Sequence, residues 1–385
     1  MFNNKIFIFN ELNYLLLPIA IFQKFIGREV YFLRLTKSWQ NEKSIKFFQF
    51  IGLKWLNFQD YKIEKIAIIS REVVLLQKKF GDFMDNLGIA NDLKKKLLSS
   101  GCDANDLKSL ALARLAARIR EFCEAVAFVD HLKENNKDNF VIIGQFPNFF
   151  NGIFREKIKN KASFLNFYSF DLILLVLKII NNKFISFIKR LFITKKSFKD
   201  LNNKTDFKKY NTIFFPHQGI FYDSLYKKDQ FYSDKNNSNF YPSNILHHSI
   251  GDQDKNNKLT KEYYRKENII NIDFVSLAGL SLKEIISESL VFTRKYYFHS
   301  KNSLQSIFFF LNLWLSIKRS LLRLNALPNV KVAIFGYDLV SPREIAIACK
   351  MCGIKTIATQ ERLICGWDEN SFFVFDHYLV INKDI

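Results

Sequence analysis

No Gly-x-Gly-x-x-Gly and no Gly-Lys-Ser loop occurs in the chain, so no short motif encodes nucleotide binding. Cysteine is sparse. Cys102, Cys123, Cys349, Cys352 and Cys365 form no even, closely spaced framework, which excludes a disulfide scaffold and fits a reducing compartment. Cys349 and Cys352 make a Cys-x-x-Cys inside a helical stretch rather than at its start, so neither a redox motif nor a zinc knuckle is expected. The reading takes no metal and no cofactor. No run of about eighteen apolar residues appears, and the apolar stretch near the amino terminus lacks a small-residue cleavage site and reads as ordinary structure rather than a signal. Acidic residues are few, 37 against 57 Lys and Arg, a formal charge of +20. That excess is spread along the whole length with no nucleic-acid signature beside it. Compositional bias, or attraction to anionic membranes and phosphates, accounts for it better than nucleic-acid recognition.

What the chain does have is concentrated between Val332 and Ile381. VAIFGY is an uninterrupted apolar run ending at a glycine, as in a strand covered on both faces. Ser341-Pro342-Arg343-Glu344 then predicts a helix start, with Ser341 as N-cap, Pro342 at the first helical position and Glu344 in capping-box spacing. The helix closes at Gly353, and IKTIAT resumes a strand, so the segment reads as a βαβ unit of a parallel sheet. Gln360-Glu361-Arg362 follow the second strand, at the edge where open α/β sheets bind ligands.

This block, AIFGYD, SPREIAIACKMCGIKTIATQER and FFVFDHYLVIN, resembles the end of the N-terminal domain of GT-B glycosyltransferases that build bacterial capsule and surface polysaccharides. The resemblance implies a Rossmann-like acceptor half followed by a second half that holds a nucleotide sugar. It also implies transfer of that sugar to a glycan acceptor. Relatives of this type often carry Gln-His-Gly where this chain has Gln360-Glu361-Arg362, so no histidine role is carried over. On this reading the block closes the acceptor half, and residues 1 to 385 are expected to lack the donor half and to be inactive alone. A polyol-phosphate transferase of the same fold, or a non-catalytic membrane-associated interaction protein, are the alternatives.

The expected organisation is α/β, one Rossmann-like parallel sheet with a helical insertion. Residues 1–61 start the sheet, 62–136 form the insertion, 137–210 an apolar and basic helical segment with a linker, and 211–385 the remainder. Within the insertion Asp106 is expected to be the N-cap of the helix that follows. Two segments, FLNFYSFDLILLVLKIINNKFISFIKRLFITKK and SIFFFLNLWLSIKRSLLR, place an apolar face before a basic end. Each reads either as an interfacial helix on an anionic membrane or as a buried helix. A cytoplasmic protein peripheral to the inner face of the plasma membrane is the corresponding expectation.

Candidate chemistry follows the strand TIFF. His217, at its carboxyl end, is a candidate general base for an acceptor hydroxyl because imidazole titrates near neutrality. Asp338, after AIFGY, is the second candidate base, with an Asx-type turn cap as its structural alternative. Gln218, Tyr222, Lys228 and Asp229 in the polar, aromatic loop, together with Gln360, Glu361 and Arg362, are the candidate substrate-binding set. Ring faces cover sugar C–H surfaces, amides pair with hydroxyls, and a guanidinium holds phosphate. His247-His248 sit in a strand, so at most one faces the same side as His217. These strand-end placements predict that His217, Asp338 and Gln360 converge on one edge of one parallel sheet.

Overall fold

A computed structural model describes residues 5–36, 39–56, 64–134, 137–144, 151–166, 209–215, 245–248, 270–272, 274, 280–298, 304–336, 342–360 and 374–380. The chain divides into two compact units, residues 1–83 with 114–203 and residues 84–113 with 204–385. Each carries its own parallel sheet. The single sheet expected from the sequence is therefore two, because strands β4 and β5, placed in the expected linker region, complete the first sheet rather than joining the strands after residue 211.

In the first unit the strands are β1 (Ile6–Leu12), β2 (Glu29–Leu35), β3 (Lys54–Trp55), β4 (Phe140–Gly144) and β5 (Ser163–Asn166), in the spatial order β3-β2-β1-β4-β5. All pairings are parallel. This is the 3-2-1-4-5 order of nucleotide-binding sheets, with its reversal between β1 and β4. Helices α1 (Leu16–Phe25) and α2 (Glu42–Phe50) are the crossovers of the β1–β2–β3 half, so right-handed connection puts both on one face. Asn13 starts α1, its Oδ1 accepting the Leu15 and Leu16 N–H groups at 3.0 and 3.1 Å. Asn41 caps α2 by accepting the Ser44 N–H at 2.9 Å. Beneath them Phe7, Phe9, Val30, Phe32 and Val141 of the strands pack with Leu16, Ala20 and Phe48 of the helices in one buried cluster. Further helices are α3 (Glu64–Asp85), α4 (Gly88–Leu98), α5 (Asp106–Glu134) and α6 (Asn151–Ile158). The unit boundary assigns residues 84–113, expected to lie in one insertion, to the second unit.

The second unit holds β6 (Thr212–Phe215), β7 (Ile245–His248), β8 (Ile270–Ile272), β9 (Val332–Phe335), β10 (Lys355–Gln360) and β11 (His377–Val380), ordered β11-β10-β9-β6-β7-β8 and parallel throughout. Counted within the unit this is 3-2-1-4-5-6 read from the β8 edge, with the reversal between β6 and β9. Helices α7 (Leu282–Phe298), α8 (Leu304–Leu324) and α9 (Arg343–Met351) accompany it. Ser281 and Glu284 form a reciprocal capping box at α7, Glu284 Oε2 accepting the Ser281 N–H at 2.7 Å and Ser281 Oγ the Glu284 N–H at 3.2 Å.

The block that carried the resemblance is a βαβ unit as expected, but it belongs to the second sheet and so does not close the first. Its helix starts one residue later than the sequence suggested: Pro342 occupies the N-cap with no side-chain cap bond, and Ser341 lies outside the described residues. Gly353, at φ +70°, ends α9, and the Ile354 N–H returns to the Cys349 carbonyl at 2.9 Å. Asp106 is likewise not the N-cap of α5. Its carboxylate reaches back to the Asp103 N–H at 2.8 Å and accepts the buried Lys350 ammonium at 3.1 and 3.2 Å, tying α5's first turn to α9.

The second basic, apolar segment is α8, and Ile307, Phe310, Leu311, Trp314, Ile317 and Leu324 are buried in it. Its apolar face serves the core, so the interfacial reading of that segment is corrected to a core helix. The first such segment lies, after Asn166, outside the described residues. Among the described residues no helix is long and apolar enough to cross a membrane.

Candidate functional site

The strands that lead to the sequence's candidates are neighbours. β6 precedes His217, β9 precedes Asp338 and β10 ends on Gln360, and the order β10-β9-β6 makes them three adjacent strands pointing the same way. Their carboxyl ends thus form one edge, at the point where strand order reverses. Phe215 and Phe335 stack across it with centroids 4.9 Å apart and planes 13° from parallel. The Gly336 N–H donates to the Phe215 carbonyl at 2.9 Å, so β6 and β9 stay paired one residue beyond the strand. Gln360 pairs in register with Val380 at the end of β10. His217, Gln218, Tyr222, Lys228, Asp229, Asp338, Glu361 and Arg362 lie outside the described residues, as does the side chain of Gln360.

His247 and His248 fall in β7 as expected and are buried on opposite sides, with His247 edge-on to Phe214 and His248 edge-on to Phe215. The His248 Nδ1 accepts the Phe274 N–H at 3.2 Å, a structural bond. Burial pushes the Cys349 thiol well above its ordinary pKa and raises Cys352, so neither is a ready thiolate at neutral pH. Asp376 ties β10 to the strand that follows, its Oδ2 accepting the Thr356 N–H and hydroxyl at 2.8 and 2.9 Å. Among the described residues no group of three His, Cys, Asp or Glu is placed to hold a metal. The sequence reading passed over one acidic pair, Asp252-Gln253-Asp254, which follows β7 and lies outside the described residues.

The first unit has a carboxyl-edge site that sequence reasoning missed. A cleft of about 590 Å³ opens where β2 and β3 end and α2 begins, lined by Arg34, Gln40, Asn41, Lys46, Gln49 and Trp55 among others. Arg34 fixes one wall. Its Nη2 donates to both carboxylate oxygens of Glu124 at 3.1 and 2.8 Å, and its Nη1 lies 3.5 Å from Glu121. Burial works against its charge, but Glu124 and Glu121 outweigh that and hold the guanidinium protonated more firmly than usual. Arg118 bonds Glu11 and Glu121 at 2.8 and 3.1 Å, and Arg120 bonds Glu124 at 3.2 Å. Burial lifts the Glu121 carboxyl above the usual range despite Arg118 and Arg34.

Three arginines against three carboxylates leave the network near neutral. The cleft therefore offers oriented polar groups and a tryptophan rather than a strong charge, the chemistry of a hydroxyl-rich ligand. Asn10, in the second half of the central strand β1, is buried with neither its Oδ1 nor its Nδ2 bonded. The signal for it was in the sequence, an asparagine interrupting the apolar run IFIFNEL. Trp55 and Gln40 carried none, because only the pairing of β3 with β2 brings them to one edge.

Comparison with protein-family models, with curated proteins and with solved structures gave no match.

Proposed function

We propose that this protein is a glycosyltransferase of the GT-B type, moving a sugar from a nucleotide donor to a glycan acceptor of bacterial surface polysaccharide. The supporting observation is that one chain carries two parallel sheets, each in the 3-2-1-4-5 strand order. With two sheets present, the ground for expecting an inactive acceptor half falls away. In this reading the second unit's edge takes the donor, and the first unit's cleft offers a site for a sugar of the glycan. A sugar ring lies on Trp55, with the amides of Gln40 and Gln49 toward its hydroxyls. His217 or Asp338 removes the proton as the acceptor oxygen bonds the anomeric carbon, and the electron pair of the broken bond leaves on the diphosphate. Lys228 and Arg362 counter that charge. Gln218, Tyr222, Asp229, Gln360 and Glu361 hold the transferred sugar.

The test is binding of a panel of nucleoside diphosphate sugars to the full chain by ligand-observed NMR, with release of free nucleoside diphosphate as a second readout. At least one donor should bind and be slowly hydrolysed, and His217→Ala or Asp338→Ala should abolish hydrolysis while leaving binding. Binding of CDP-activated polyols alone would replace the proposal with polyol-phosphate transfer, and binding of no donor would leave a non-catalytic protein. Chelation by EDTA should change nothing, and activity lost to EDTA and restored by a divalent cation would refute metal-independent transfer.

A further inference from the structure

Helices α1 and α2 carry an apolar surface that the core does not use. Within LLPIAIFQKF only Leu16 and Ala20 are buried, and in α2 only Phe48 is. The rest of the apolar side chains at the carboxyl ends face outward: Phe25 is 86% and Phe50 87% exposed, and Phe22, Ile26 and Phe47 are exposed beside them. The two ends adjoin. A Cβ on Gly52, just past α2, would sit 2.5 Å from Lys24 Cε of α1, so the Lys24 stem lies across the turn that closes α2. Five large exposed apolar side chains thus lie at two adjoining helix ends at the amino edge of the first sheet. Scattered exposed apolar residues need no explanation, but such a concentration does.

The surrounding charge names the occupant. Lys24, Arg28, Lys43 and Lys46 lie among these aromatics, while α1 holds no carboxylate and α2 only Glu42, paired with Lys46 at 2.7 Å. Phenylalanines that project singly from helix ends, ringed by long cationic stems, suit the boundary between acyl chains and anionic headgroups. Apolar insertion and lysine attraction add there, and one without the other gives only marginal binding.

We infer that this face docks the protein on an anionic lipid bilayer. The inference does not depend on glycosyl transfer. It places a membrane contact on a part of the molecule other than the two basic, apolar segments, one of them residues 306–323, that carried the interfacial alternative in the sequence.

The experiment is sedimentation of the full chain with vesicles of phosphatidylcholine alone and of phosphatidylcholine mixed with phosphatidylglycerol. The protein should pellet with the mixed vesicles only. Phe25→Ser with Phe50→Ser should weaken that partitioning at least roughly tenfold, since each ring withdrawn from the interface forfeits much of its burial free energy. Both side chains are exposed, so the circular dichroism and melting of this variant should match the parent. Lys43→Glu with Lys46→Glu should weaken binding and flatten its dependence on salt. Leu290→Ser with Val291→Ser, which removes exposed apolar side chains of α7, should change nothing. Failure to pellet with anionic vesicles overturns the inference, as does binding that survives Phe25→Ser with Phe50→Ser or is lost equally in the α7 control. A dimer in sedimentation velocity that this same pair of serines disperses, without vesicle binding, would assign the face to a second copy instead.

Discussion

Replacing Lys350 by methionine should destabilise the second unit by about 3 kcal/mol, the scale for removing one partner of a buried ion pair. The ammonium is 3% exposed and lies 3.1 Å from Asp106, which is 2% exposed, and 2.5 Å from Asp103, which is 76% exposed. Asp103 is solvated and contributes little. Most of the loss comes from Asp106, left with the Asp103 N–H as its bond and no counter-charge. Burial already raises the Asp106 pKa, against the pull of that N–H and Lys350, so without Lys350 it rises further. The sign follows. A folded-state carboxyl pKa above the unfolded value costs stability as pH rises past it, so the deficit of Lys350→Met is largest at neutral pH and narrows in acid as Asp106 takes up a proton. On the other side Lys350 is held above its ordinary pKa, despite burial, by Asp103 and Asp106. The contribution of the lysine's raised pKa is therefore present below the ordinary lysine range and is lost as strong base titrates the ammonium. Asp106→Asn removes the carboxylate charge itself, so the double variant should be more stable than the sum of the single losses predicts, by about 2 kcal/mol. Urea titration read by hydrogen exchange over 106–113 and 343–351 isolates this unit. Strictly additive losses, or a loss below about 1 kcal/mol for Lys350→Met, would refute the coupling.

Two further outcomes follow from the first unit. Burial opposes the charge of Glu29, but hydrogen bonds from Lys137 and Lys54, both at 2.7 Å, outweigh it and hold the carboxyl at about 2. Its contribution is present above the ordinary carboxyl value and lost as pH falls toward 2. At 36% side-chain exposure solvent reduces it to about 1 kcal/mol. Glu29→Gln should lower stability by that amount at neutral pH and flatten the acid limb of the stability curve, and an unchanged acid midpoint would count against the pairing. Asn10→Val should raise the unfolding free energy by about 1 kcal/mol, read as a higher urea midpoint, because an unbonded buried amide is removed from the sheet. A lowered midpoint would mean that a water bonds the amide.

Local structure was readable where one segment decides it. VAIF, TIFF and KIFIF are apolar on both faces and became parallel strands, and Gly353 stopped its helix as its chemistry requires. Sheet membership was not readable, because it rests on pairings between distant residues, such as Ile6 with Phe140 and Thr212 with Val332. A strand signature says that a segment pairs, not with which partner. The same limit explains α8, since an apolar stripe followed by lysine and arginine describes a core helix and an interfacial one equally.

Helix α1 was readable between Leu15 and Gly27, but its outward apolar face was not, for the opposite reason. Its apolar residues surround the axis, and a helix apolar all round is normally a buried one. The sheet, however, covers only one side of α1, and the order β3-β2-β1-β4-β5 leaves no described strand or helix to cover the side that holds Phe22 and Phe25. The surplus hydrophobicity at Phe22, Phe25 and Ile26 then has no role in the core cluster, whereas every apolar position of β1 is buried. The comparison with α8 sharpens the point: there most of the apolar side chains are buried in their own unit, while in α1 and α2 the exposed rings sit beside Lys24, Lys43 and the Glu42-paired Lys46. Where a chain keeps aromatic residues that its own fold does not bury, and keeps carboxylates away from them, the physical demand met by those positions is external to the fold.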